Sequence, residues 1–194
     1  MQEKQAIAQL KQGEISGLAT LVQQYQVKAI RVACLITRDQ AMAEDIVQNS
    51  FIKVYQRIDQ FDIQRAFEPW FMRSVVNASL QAVKFQQRMV SLEPNQYDEF
   101  DFSMFLKSSE PALEDYILRG ELRTLIKQAL DHLPAEQRAV VVMRYYLDMP
   151  EKEIADVLER PQGTIKWRLS SARQKLKGIL TRHSFSTERE VDYE

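Results

Sequence analysis

The side chains of this 194-residue chain that could do chemistry are basic and small polar ones, gathered between Arg160 and Arg182. That stretch carries seven Lys/Arg and no Asp/Glu. Projected at about 100° per residue, Trp167, Ser170, Ser171 and Gln174 centre one face of a helix, with Gly163 and Thr164 at its start. Lys166, Arg173 and Lys177 flank that face on one side, Arg168 and Lys175 on the other, and Arg160 and Gln162 precede it. Cationic rails pair with phosphates while small polar groups between them reach base edges, which is the chemistry of reading a duplex groove. The plainer alternative is a solvated basic face. No other chemistry stands out: there is no nucleophile–base pair and no Gly-rich phosphate loop, and neither His132 nor His183 has a second ligand at useful spacing. The expectation is no catalytic residue, no metal and no cofactor. Cys34, inside an apolar helical run, reads as a small core residue.

Two helices must position the basic face. Over Pro150 to Leu180, Ile154, Val157 and Leu158 recur at helical spacing, and Ile165, Leu169, Ala172, Leu176, Ile179 and Leu180 form a second apolar stripe. The break falls at Glu159–Arg160, and Pro161 suits the first turn of a new helix. A short helix, a tight turn and a longer helix make a helix-turn-helix, whose second helix can lie in the DNA major groove.

The rest of the chain predicts an all-α protein of two small helical domains. Five Gly, six Pro and 45% hydrophobic content allow long helices around a real core. Net charge is −1, but Ser91 to Leu118 carries seven acidic residues against one Lys, so the charge is split along the chain rather than absent. Gln2–Leu10 and Ile15–Ile36 read as helices. A third follows, burying Val47, Phe51, Val54, Tyr55 and Ile58 and turning Asp45, Gln48, Asn49, Ile52 and Gln56 outward. Asp59 to Phe67 reads as a loop, and Pro69 opens a helix with Trp70, Phe71, Val75, Ala78, Ala82 and Phe85 inward. Arg73, Asn77, Gln81, Lys84 and Arg88 line one outward strip of it. The expected boundaries are 1–90 for the first domain, 91–111 for an acidic linker, 112–183 for the helix-turn-helix domain and 184–194 for a disordered acidic tail. In the second domain Leu122, Leu125, Ile126, Ala129, Leu130 and Leu133 form one inward face. No signal peptide and no apolar run of spanning length is seen, which predicts a cytoplasmic chain with no membrane insertion.

Taken together, these pieces resemble a bacterial sigma factor of the extracytoplasmic-function type, the smallest class of the sigma-70 family, from about Ile7 to Leu180. AEDIVQNSFIKVYQRIDQFD resembles the family's clamp-gripping helix, with Asp45 and Gln48 at its Asp-x-x-Gln positions. FEPWFMRSVVNASLQAVK resembles the helix beside the loop that engages the minus-ten element, with Trp70, Arg73 and Asn77 in place. LPAEQRAVVVMRYYLDMPEKEIADVLERPQGTIKWRLSSARQKL resembles the module that reads the minus-thirty-five element. The resemblance implies RNA polymerase core binding through Asp45, Gln48, Asn49 and Ile52. It also implies minus-ten contacts through Phe61, Arg65, Phe67, Arg73, Asn77, Gln81 and Lys84, with Phe61 and Phe67 offering stacking surfaces. Minus-thirty-five contacts fall to Arg160, Gln162, Gly163, Thr164, Lys166, Trp167, Arg168, Ser170, Ser171, Arg173 and Gln174. Partners implied are core polymerase, promoter DNA and an anti-sigma factor; no bond chemistry is implied. Glu159 stands where the family usually has Gly, Trp167 where a small residue is usual, Gln81 where Asp is frequent, and Gln86 and Gln87 where Arg is common. The alternatives are a helix-turn-helix regulator that acts without touching polymerase core, and a helical adaptor that uses the motif for protein contacts.

Overall fold

The computed structural model describes residues 2–90 and 124–190, with side chains described over 3–89 and 124–181. The chain divides into two compact units, Met1–Phe100 and Asp101–Glu194. Helices alone make up the regular structure among the described residues: α1 (Gln2–Lys11), α2 (Ser16–Thr37), α3 (Gln40–Arg57), a 3-10 turn (Ile58–Gln60), α4 (Phe67–Val90), α5 (124–131), α6 (Ala135–Tyr145), α7 (Glu151–Leu158) and α8 (Gln162–Glu190). The expected linker, 91–111, and Leu122 lie outside the described residues.

In the first unit α2 packs against α1, α3 and α4. Its buried side, with Leu21, Tyr25, Ala29, Val32, Ala33 and Ile36, follows the helical period of the sequence. The α2–α3 corner is tight because Arg38 takes a left-handed conformation (φ 67°) and Asp39 caps α3, its carboxylate accepting from the Met42 N–H at 2.8 Å. Burial, with Glu44 and Asp39 nearby, pushes the Cys34 thiol up to about 12, so Cys34 stays a neutral core residue. Aromatic rings fill the space between α2, α3 and α4: Phe71 lies 4.5 Å from Phe51 and 5.7 Å from Phe67, and Tyr25 lies 5.4 Å from Phe67, centroid to centroid. The Tyr25 hydroxyl donates to Glu3 of α1, and burial and that bond both raise its pKa.

α1 crosses α2 at Gly17, where an added Cβ would sit 2.2 Å from the Ala6 carbonyl oxygen. That obstacle is backbone, so it cannot swing aside. Gly17→Ala is expected to cost about 1–3 kcal/mol and to loosen α1, read as a lower urea midpoint and faster amide exchange in residues 3–11.

Three expectations of inward side chains are corrected. Tyr55 is exposed, because the buried arc of α3 runs through Ala43, Ile46, Val47, Ser50, Phe51 and Val54 and Tyr55 falls about 40° beyond Phe51. Ser50 takes the inward place, its hydroxyl donating to the Ile46 carbonyl at 2.7 Å. Phe85 is exposed as well, since α4 buries Met72, Val75, Val76, Ser79 and Val83 on the other side of its axis. On α5, Ala129 and Leu130 are buried but Ile126 is not.

In the second unit α6 and α7 both pack on α8, joining Ala139, Val140, Met143, Ile154, Ile165, Leu169 and Ala172 in one core. Arg138 is buried there, its guanidinium donating to the Leu133 carbonyl at 2.9 Å and tying α6 to the end of α5. The turn into α8 is made by Glu159 at φ 53°, ψ 47°, whose N–H bonds the Ala155 carbonyl; the Arg160 N–H bonds the same carbonyl at 3.0 Å. A left-handed residue with a Cβ is strained, as the absence of Gly here leads one to expect. Glu159→Gly should therefore raise the unit's stability by about 0.5–1 kcal/mol, seen as a higher urea midpoint with unchanged slope. Pro161 stands just before α8, its carbonyl accepting from the Thr164 N–H at 2.9 Å. The backbone of α8 then stays helical to Glu190.

Candidate nucleic-acid interface

Burial along α8 follows its apolar stripe. Ile165, Leu169 and Ala172 are buried, so Gly163, Lys166, Trp167, Ser170, Arg173, Gln174 and Lys177 face outward together, with Arg160 and Gln162 exposed at the start and Thr164 half-buried. The expected second basic rail, Arg168 and Lys175, is corrected at Arg168, while Lys175 is exposed. Arg168 turns to α6, where its guanidinium bonds the Glu136 carboxylate at 2.9 Å and is only 14% exposed. Ser171 also faces α6, its hydroxyl accepting from the Gln137 amide at 3.2 Å. Both residues brace the helix from behind, and the open face is narrower than the helical projection implies.

In the first unit Asp45, Gln48, Asn49 and Ile52 form one exposed strip on α3, opposite its buried arc. A separate feature lies between α3 and α4. A groove of about 350 Å³ is lined by Lys53, Arg57 and Gln60 on one wall and Trp70, Arg73, Ser74 and Asn77 on the other. The groove combines an aromatic surface, three cations and several hydrogen-bonding groups, which suits an unpaired nucleotide. Phe61 and Phe67 do not offer it stacking surfaces: they are 2% and 0% exposed. Their rings support Trp70 instead, at 4.9 and 5.6 Å. The Lys11 ammonium donates to the carbonyls of Phe61 (2.7 Å) and Asp59 (3.5 Å), so α1 holds the turn that carries Phe61 into this cluster. Gln81 and Lys84 are exposed further along α4, and Arg65 is exposed in the loop, 3.6 Å from Asp62. Lys53, Arg57 and Gln60 line the groove but are not among the candidates the sequence offers. The available signal was the four-residue spacing of Lys53 and Arg57, which repeats that of Arg73 and Asn77.

Comparison with known proteins follows the same division. The model for Sigma-70 region 2 matches residues 21–89. The model for Sigma-70, region 4 matches residues 123–176. The chain is 29% identical over 179 residues to the ECF RNA polymerase sigma factor SigW of Bacillus subtilis, covering 91% of this chain and 96% of that one. It is 28% identical to the ECF RNA polymerase sigma-E factor of Escherichia coli, covering 88% and 90%. The chain belongs to the sigma-70 family, in its extracytoplasmic-function group.

Among solved structures it is similar to the sigma factor RpoE of Bartonella quintana, determined with the anti-sigma factor NepR: TM-score 0.62 and 22% identity, covering 83% of this chain and 96% of that one. This likeness concerns the fold. In the sigma factor described here, the region 2 match takes in the α3 strip and every residue lining the groove, and the region 4 match takes in the open face of α8 through Leu176.

Proposed function

We propose how this sigma factor divides one task between its two units. As a member of its family it binds RNA polymerase core and directs initiation at promoters. The exposed Asp45, Gln48, Asn49 and Ile52 strip docks on the polymerase. The α3–α4 groove takes a base of the melted minus-ten strand against Trp70, with Arg73, Asn77 and the cations of the opposite wall on the flanking phosphates, and Arg65, Gln81 and Lys84 extending the track. The open face of α8 reads the minus-thirty-five duplex: Lys166, Arg173 and Arg160 hold phosphates, while Gln162, Gly163, Thr164, Trp167, Ser170 and Gln174 approach base edges. Arg168 and Ser171 act from behind as braces. The bond chemistry belongs to the polymerase, and the protein works in the cytoplasm beside it. No helix among the described residues is long and apolar enough to cross a membrane.

The observation that carries the reading is that the two matched regions each contain an outward basic or aromatic–cationic surface, in family order along the chain. It does not favour a regulator acting without core polymerase, because such a protein has no need of the region 2 match over 21–89. Control by an anti-sigma factor belongs to the proposal, supported by the pairing of RpoE with NepR in the similar structure. With a net charge of −1, the free chain should bind promoter duplex weakly and with a steep loss in salt. Footprinting tests this directly: the protein with core polymerase protects two upstream elements, and the protein alone protects neither at the same concentration. Protection by the protein alone would point to the regulator instead.

A further inference from the structure

Trp167 is the largest side chain on the open face of α8 and is 65% exposed. No described residue forms a ring contact or hydrogen bond with its indole. One turn earlier stands Gly163, and a Cβ placed there would meet no atom within 4 Å. The fold therefore does not require glycine at 163, and in the first turn of a helix Gly is a poorer choice than Ala. Helical side chains lean toward the N-terminus, so a residue at i+4 lies over the surface of residue i. Trp167 and Gly163 thus make one feature, an exposed apolar plate beside a bare strip of backbone, bordered by Lys166 and Ser170.

We propose that this feature is a specificity element that selects a thymine in the upstream duplex by its C5-methyl group. The proposal rests on the assignment of α8 to the minus-thirty-five element and names what that face prefers. The thymine methyl is the apolar group that the major groove presents. An indole, mostly apolar with one donor, gains by covering it and loses little by not covering a second polar edge. Gly163 contributes the clearance: with no side chain one turn up, the backbone can come close enough for the plate to reach the floor of the groove. Lys166 and Arg173, on the other side of the plate, keep the helix in register through phosphates and do not depend on the base.

The test uses the full-length protein bound to core polymerase. Duplexes are first selected by this holoenzyme from a pool with a randomised upstream element, and each thymine of the selected sequence is then replaced in turn by deoxyuridine, which removes only the methyl. At one thymine or two adjacent ones, the wild-type complex should bind about three- to fivefold more weakly, the scale of one lost buried methyl group. The Trp167→Ala complex should show no difference between thymine and deoxyuridine there, while its Tm matches wild type because the side chain is exposed. Gly163→Ala should retain folding and core binding but weaken the methyl effect. Equal methyl effects in wild type and Trp167→Ala, or none in either, would overturn the proposal. So would an unchanged selected sequence for Trp167→Ala. If the holoenzyme selects no upstream element at all, the assignment of α8 falls first, an outcome distinct from a selected element that is blind to the methyl.

Discussion

Trp70→Ala is expected to lower transcription from a fully duplex promoter about tenfold or more, the loss associated with one base–aromatic stack. The indole has two roles in this account. One side rests on Phe61 and Phe67, and the other lines the groove opposite Lys53 and Arg57. Removing it takes away the surface that stabilises an extruded base, so strand opening suffers most. On a template opened beforehand over the minus-ten element, unpairing is already complete and the loss should shrink to a few-fold at most. Trp70→Phe, which keeps a smaller ring in the cluster, should fall between. Thermal melting of each variant separates lost support from lost stacking. An equal defect on duplex and pre-opened templates would place Trp70 in the core and remove it from the nucleic-acid site.

The second large effect is expected at a residue that the sequence assigned to DNA. Arg168→Ala should reduce output that depends on the upstream element by about tenfold, although the guanidinium is turned away from the open face. Its bond to Glu136 and the Gln137–Ser171 bond tie α8 to the start of α6 at two points one turn apart. Glu136 is 40% exposed and water screens the pair, so its contribution to stability is modest, about 1 kcal/mol or less. The larger consequence is orientational, because a small rotation of α8 moves every base-reaching side chain. Salt dependence distinguishes the two roles. An arginine on a phosphate should lower the slope of log affinity against log salt by about 0.9 when removed, whereas a brace leaves that slope unchanged. Partial rescue by the exchanged pair Glu136→Arg with Arg168→Glu should follow from bracing and not from phosphate contact. A lower slope without rescue would return Arg168 to the DNA face.

Arg168 owes its position to a neighbouring helix that helical spacing does not encode. Periodicity located α2, α3, α4, α7 and α8 because each has one wet and one dry side, and Ile165, Leu169 and Ala172 are buried as their spacing requires. The turn before α8 was equally legible, down to the strained position of Glu159. A projection cannot show where a neighbouring helix ends, so it assigned Arg168 and Ser171 to solvent when α6 already occupied that side. It also sets no width for the buried arc, so Tyr55 and Phe85 read as inward although both are exposed. The loop posed a different difficulty. Phe61 and Phe67 lie in a stretch without period, and their long-range partners, Tyr25 and the Lys11 ammonium, together with the packing of their rings on each other, reveal them as core. The α3–α4 groove was half visible. Arg73 and Asn77 were read on one helix, but Lys53 and Arg57 acquire meaning only when α3 is set beside α4.

Run-off transcription with purified bacterial core polymerase, with and without this protein, on a pool of promoter fragments is the most direct test of the central claim. Transcripts should appear only when the protein is added and should share two upstream elements. They should be lost when Asp45 and Gln48 are both changed to Ala, with folding intact because both side chains are exposed. A result in which core polymerase gains no new start sites and does not bind the protein would contradict the account and leave α8 as the reading helix of an ordinary DNA-binding regulator.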